Sequence, residues 1–158
     1  VWLRLMVLAV AGDWHLREAL YPSSETYLML FVAALGTIWD SILVSASLLV
    51  YPSGMFMTGI APYWIIAMWL LFATTLNVSL RWLKRRWLLA TVIGAVSGPA
   101  SYYAGFKLGG VTFTDMPVAL AMLGAGWAVI LPLLACVSDI WDGFRSPASL
   151  PSGAVTGP

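Results

Sequence analysis

Four apolar stretches, each close to twenty residues long, constrain this chain more than any other feature. They cover residues 27–51, 60–80, 87–106 and 117–138. A helix needs about 20 residues to cross a hydrocarbon core of about 30 Å, and a backbone in lipid has to satisfy its hydrogen bonds internally. The short alternating segments of a β-barrel are missing from the sequence. The pattern therefore predicts an all-α fold, a polytopic transmembrane helical bundle with four full helices. Composition leads the same way. Of 158 residues, 61% are hydrophobic and 9% charged, and the mean hydropathy is +0.88. A soluble domain carries about a quarter charged residues. These values exclude a cytosolic enzyme, a disordered chain and a secreted disulfide scaffold.

The start of the chain is a weaker signal. Residues 1–12 are apolar except for Arg4, and Asp13, His15, Arg17 and Glu18 follow. Twelve residues rise only about 18 Å as a helix. There is no basic run ahead of them as in a signal peptide, and the first residue is Val1. Residues 1–12 are expected to form a short or truncated N-terminal helix, the tail of a span that begins upstream. An interfacial helix is the alternative. Residues 1–142 then make a single transmembrane helical domain. Residues 143–158, with three Gly, three Pro and three Ser, read as a disordered cytoplasmic tail.

Lysine and arginine orient the bundle. Arg81, Lys84, Arg85 and Arg86 are half of the eight basic residues. With that linker in the cytoplasm, alternation places Arg17 and Arg145 inside and only Arg4 and Lys107 outside. The expectation is a multi-pass membrane protein with a cytoplasmic C-terminus. Turn chemistry fits the same division. Pro52 and Gly54 end one helix, Pro62 opens the next, and Asp115 followed by Pro117 offers a cap and a first-turn proline.

Several strings occur together in one order: Trp39-Asp40-Ser41, Ala61-Pro62-Tyr63-Trp64, Phe72-Ala73-Thr74-Thr75-Leu76-Asn77 and Gly98-Pro99-Ala100-Ser101-Tyr102-Tyr103-Ala104-Gly105. On these strings the chain resembles an uncharacterised bacterial inner-membrane family, domain of unknown function 2878, over roughly residues 33–134. The step Asn77-Val78-Ser79 departs mildly, since the family often has a polar residue at its middle position. The resemblance implies an inner-membrane helical bundle, with one more helix ahead of the first one here, and no particular activity.

Asp40 is the sharpest single residue. It lies about 20 Å along its helix from the cytoplasmic end at a rise of 1.5 Å per residue. A carboxyl at that depth costs roughly 2.5–3.5 kcal/mol on insertion scales, so it has to be paired, protonated or hydrogen-bonded. Small and polar residues, Thr37 and Ser41 among them, share its helix face. Depth places Trp69, Ser101, Tyr102 and Trp127 at its level. These seven residues form the candidate intramembrane polar centre. They read either as a proton, cation or polar-substrate site or as a packing lock. Asn77, Thr74 and Thr75 form a second polar patch that reads as helix glue or as an inner vestibule. His15 reads as interfacial.

Ala90, Gly94 and Gly98 form a small-residue ridge for close helix approach, and Pro99 and Pro132 interrupt two helices. Arg81, Lys84, Arg85 and Arg86 read as a positive-inside loop that contacts anionic lipid, not as a nucleic-acid site. One His and one Cys are too few ligands for a bis-His haem, an iron–sulfur cluster or a dimetal centre. No nucleophile–base pair and no phosphate loop occurs. No cofactor, metal or catalytic residue is therefore expected. The function expected is that of a non-enzymatic accessory or structural subunit of a larger membrane complex, with membrane lipid and a protein in the membrane as partners. The alternative is a small transporter or lipid-handling protein that uses Asp40.

Overall fold

The computed structural model describes residues 2–145. Among them are five α-helices: α1 (Trp2–Glu18), α2 (Pro22–Ser45), α3 (Tyr63–Leu76), α4 (Trp87–Lys107) and α5 (Met116–Ile140). A 3-10 turn covers Arg81–Leu83, and two short strands, β1 (Leu49–Val50) and β2 (Thr112–Phe113), pair antiparallel. The fold is all-α apart from this corner. α4 packs along α5, and α2 along α3. α1 rests on α3 and α2, and α5 joins the two pairs.

Two helices, α2 and α5, are long and apolar enough to cross a membrane. α4, with 21 residues, rises about 31 Å. The expectation of four full helices does not hold for α3. It has 14 residues, a rise of about 21 Å, where residues 60–80 were expected to be helical. Pro62 stands extended before its first residue. After Leu76 the chain turns, with the Leu80 N–H donating to the Thr75 carbonyl at 2.8 Å, because the Asn77 side chain is drawn into a buried network. α1 is longer than residues 1–12. It runs on through Asp13 and Arg17, whose side chains pair at 2.6 Å across one turn.

α2 stops at Ser45, short of residue 51, for a local reason. Ser47 adopts a φ of 58°. The Ser47 N–H donates to Val44 at 2.9 Å and the Leu48 N–H to Leu43 at 3.0 Å. These are the two bonds of a Schellman cap. α4 ends by the same device at Gly109, with Gly109 donating to Phe106 at 3.0 Å and Gly110 to Gly105 at 2.9 Å. Both caps turn the chain into the β1–β2 corner, where Leu49 faces Phe113 and Val50 faces Thr112. Asp115 caps α5 by accepting from the Val118 N–H at 3.2 Å.

The α4–α5 seam uses the small-residue ridge. Ala90, Gly94 and Gly98 are the buried residues of α4. A Cβ at Gly94 would overlap the Trp127 carbonyl, and one at Gly98 would overlap the Trp127 side chain. The start of the expected tail is docked: Gly143 is buried and donates its N–H to Glu25 at 2.8 Å. Residues 146–158, the rest of that tail, lie outside the described residues.

Candidate functional site

Asp40 lies fully buried on the inner face of α2. Its Oδ2 accepts the Trp69 Nε1–H at 2.7 Å. Its Oδ1 accepts the Tyr102 hydroxyl at 2.6 Å and the Tyr51 hydroxyl at 3.2 Å. One carboxyl thus ties α2 to α3, to α4 and to the corner after β1. Among the described residues no cation pairs with it. Three hydrogen bonds offset the loss of water around the group, since bonds to a carboxyl oxygen are stronger than neutral ones. Trp69 reaches it because Gly36, one turn before Asp40, leaves a slot that a Cβ would fill.

The other residues of the expected centre are placed differently. Trp127 stacks flat on Trp69, with ring centroids 5.0 Å apart and planes 8° from parallel. The stack keeps its indole N–H away from Asp40, and that N–H has no hydrogen-bond partner among the described residues. Thr37 donates to the Ala33 carbonyl at 2.6 Å and Ser101 to the Gly98 carbonyl at 2.7 Å. Both satisfy their own helices. Ser41 accepts the Ala61 N–H at 3.0 Å and so holds the entry to α3. Of the seven residues, Trp69 and Tyr102 meet Asp40. Tyr51, which reads in the sequence as a helix end, is the partner that pattern reading misses. Nothing in its local sequence signals the cap that swings it back.

A second buried acid is absent from the sequence reading altogether. Glu25 is fully buried in the first turn of α2. It accepts Asn77 Nδ2 at 2.6 Å and the Gly143 N–H at 2.8 Å on one oxygen. Its other oxygen meets His15 Nε2 at 2.9 Å. Asn77 passes the network on, accepting Lys84 Nζ at 2.6 Å. Lys84 also reaches the Ser138 carbonyl at 3.0 Å and Asp142 at 2.9 Å. A glutamate so near a helix start reads as a solvated residue. Only the return of residues 77, 84 and 143 buries it.

The four basic residues of the 81–86 loop therefore divide. The Lys84 side chain is 8% exposed and turned inward. Arg81 is bonded to both oxygens of Asp142 at 2.8 and 2.7 Å. Arg85, 81% exposed, lies 3.4 Å from Asp139, and Arg145 pairs with the same Asp139. Arg86 is exposed. Burial pushes the Lys84 ammonium below its usual range, against the opposing pull of Asp142. Burial alone would raise Asp142, but its bonds from Arg81 and Lys84, the Lys84 charge and the Phe144 N–H hold it below the usual carboxylate range. Arg85 and Arg86 stay exposed, beside the exposed Trp87 and Leu88.

Beside the Asp40 centre, α3 and α4 diverge around an apolar cleft of about 460 Å³. Tyr51, Trp69 and Tyr102, the three donors to Asp40, all line it. Its chemistry is that of an apolar pocket with few polar groups, the usual form of a small-molecule site. No cluster of three metal-ligating side chains occurs among the described residues.

No curated protein and no solved structure matches this chain. A family model described as a protein of unknown function, DUF2878, matches residues 1–133. That span includes Asp40, Glu25, all three donors to Asp40 and the whole α3–α4 cleft, and the chain belongs to this family.

Proposed function

We propose that the chain is a multi-pass protein of the bacterial inner membrane, with the 81–86 loop and the C-terminus in the cytoplasm. In this reading it acts without catalysis, as an accessory subunit of a larger membrane assembly. The observation that carries the membrane placement is the outer surface of the long helices. In the most apolar windows of α2 and α5 only 28% and 33% of residues are buried. Leu88, Val92, Val96 and Val129 are all more than half exposed. Water would penalise that surface at about 25 cal/mol per Å², whereas lipid accepts it. All six of the cations Arg17, Arg81, Lys84, Arg85, Arg86 and Arg145 lie towards one end, around the Glu25 network, and Lys107 closes α4 at the other.

The non-catalytic role is supported by how the buried acids are used. Asp40 and Glu25 each receive three hydrogen-bonding partners within the fold. Both carboxyls are fully buried, with no surface turned to the outside. Purification from native membranes in a mild detergent, followed by native mass spectrometry, tests the subunit role. A second polypeptide at fixed stoichiometry supports it, and a monomer or homo-oligomer alone overturns it. The cleft beside Asp40 favours a second reading, a lipid-handling protein, through what its walls can bind.

A further inference from the structure

We propose that His15, Glu25 and Phe144 form a proton-operated clasp. It holds the end of α1 and the segment after α5 against the start of α2, closed when His15 carries a second ring proton and loosened when it does not. The inference goes beyond the membrane and subunit readings above and depends on neither.

His15 faces two ways. Its Nε2 lies 2.9 Å from Glu25 Oε2, inside the fold. Its Nδ1 makes no hydrogen bond among the described residues, yet it is not one of their fully buried unpartnered atoms. His15 also lines an open groove of about 830 Å³ between α1 and α3, with Val10, Trp14, Thr74 and Thr75. One ring nitrogen therefore meets a buried acid, while the other is open to protons from outside.

That proton supplies what Glu25 lacks. A carboxylate only accepts hydrogen bonds. Oε1 of Glu25 takes two N–H donors, from Asn77 Nδ2 at 2.6 Å and from Gly143 at 2.8 Å, and Oε2 has His15 alone. A neutral imidazole with its proton on Nε2 fills that place as a donor but brings no charge. The cation of the network, Lys84, stands one residue further off, bonded to Asn77 Oδ1 and not to Glu25. A proton taken up at Nδ1 turns the His15–Glu25 contact into a direct ion pair. A bond between two charged groups is the stronger one, and a buried carboxylate is most costly without an opposite charge beside it.

The same proton acts on the C-terminal segment. The Phe144 ring centroid is 5.0 Å from that of His15, inside the roughly 6 Å at which an aromatic ring attracts a cation. Gly143 is wedged beside the pair. Its N–H goes to Glu25, its carbonyl accepts the Tyr21 N–H at 2.9 Å, and a Cβ there would stand 2.5 Å from Glu25 Cγ. Gly143 and Phe144 thus rest on the two members of the pair, one on each.

The other charges nearby are already committed or lie outside the contact. On α1, Asp13 and Arg17 pair with each other at the surface, and Glu18 lines the groove. α3 brings only the uncharged Thr74 and Thr75 to the groove. After α5, Asp142 is engaged by Arg81 and Lys84, and Arg145 pairs with Asp139. The imidazolium is the low-pH form, so the clasp is closed at the lower pH and loosens as pH rises, over the range in which Glu25 stays ionised. His15 is the single histidine of the sequence, so its ring can be followed at one site.

The test uses the full chain, isotope-labelled in detergent micelles, and nuclear magnetic resonance. The His15 ring signal and the solvent exchange of the Gly143 amide, corrected for its intrinsic rate, are followed between about pH 5.5 and about pH 8.5, the range in which histidine switches. Protection of Gly143 should fall about tenfold, the factor by which a bond to a charged group exceeds a neutral one. The midpoint of that fall should coincide with the His15 ring titration. The Gly94 amide in the α4–α5 seam should stay unchanged. His15→Gln keeps a donor towards Glu25 but takes up no proton, and its Gly143 protection should not change with pH. Phe144→Leu should shrink the change. Protection in the parent that is independent of pH overturns the clasp, as does a midpoint that differs from that of the His15 ring, a result that needs no variant. A parallel loss at Gly94 assigns the effect to global unfolding and overturns it too. A pH dependence that survives in His15→Gln assigns the effect to Lys84 and overturns the role of His15, and an unshrunk change in Phe144→Leu overturns that of Phe144.

Discussion

The carboxyl of Asp40 receives donors only, and this determines how its substitutions behave. Asn at this position keeps one acceptor oxygen for Tyr102 and Tyr51, but its amide N–H₂ faces the Trp69 N–H, donor against donor. Asp40→Asn should therefore cost about 1–3 kcal/mol, the penalty of one unpaired buried group. Asp40→Leu strands all three donors and should cost more, read as the larger drop in melting temperature in detergent. Equal melting temperatures for Asn, Leu and the parent would show that the three bonds contribute nothing. Asp142 carries a pH dependence of known sign. Its folded-state pKa is depressed, so its contribution is fully present above the unfolded value near 3.8. It is lost as pH falls through the lower, folded value. Below pH 4 the parent should lose melting temperature, and Asp142→Asn should lose less over the same range while starting from a lower value. Arg85 has a φ of 64° at the third position of a tight turn in which the Arg86 N–H donates to Leu83 at 3.1 Å. A left-handed non-glycine residue costs about 1–2 kcal/mol. Arg85→Gly should raise stability by about 1 kcal/mol in a thermal melt, while weakening binding to anionic vesicles.

Among the elements, the α4–α5 pair is held by absence of side chain as much as by its presence. Gly94 lets the Trp127 backbone, and Gly98 the Trp127 side chain, approach until a Cβ has no room. Gly98→Leu should cost about 2–3 kcal/mol through overpacking and should also unstack Trp127 from Trp69. The readouts are the melting temperature and the near-ultraviolet circular dichroism of the indole pair. An unchanged aromatic signal would mean that the pair does not depend on this seam. α3 follows a different principle. It is strongly apolar yet ends early, because continuing past Leu76 would carry Asn77 out of the network formed by Glu25, Lys84 and the Trp141 carbonyl. Four hydrogen-bonded segments outweigh one further helical turn. The two Schellman caps, on Ser47 and Gly109, are the matching event at the other end, where α2 and α4 both turn into the β corner.

For the whole molecule, the arrangement of charge leads to a topological prediction. In a Cys136→Ala background, Lys107→Cys should react with an impermeant thiol reagent in intact spheroplasts, and Ser146→Cys should react only after lysis. The reverse pattern would invert the orientation. Hydropathy and turn residues were enough to give the number of helices and their approximate positions, because apolar length and breakers act locally along the chain, and the motif strings carried the family. Asp40 was legible as a residue in need of buried partners for the same reason: a carboxyl within an apolar run demands them whatever the tertiary arrangement. Which partners it finds was not legible. Tyr51 comes back through a cap on Ser47, a residue with no left-handed preference of its own, and Trp127 is taken from Asp40 by a stack that depends on Gly36 and Gly98 lying on opposite sides of two indoles. Glu25 and Lys84 went unread as buried groups because each sits at the end of an apolar segment, where sequence suggests solvent. Besides His15 and Asn77 nearby, their partners lie 52 to 118 positions away, and only a folded chain brings such residues within hydrogen-bonding distance. The sequence by itself determined the apolar helices and the position of the acid between them. The tertiary structure alone decided which donors that acid receives, and with them the apolar character of the cleft, because hydrogen-bond partners are chosen by proximity in space.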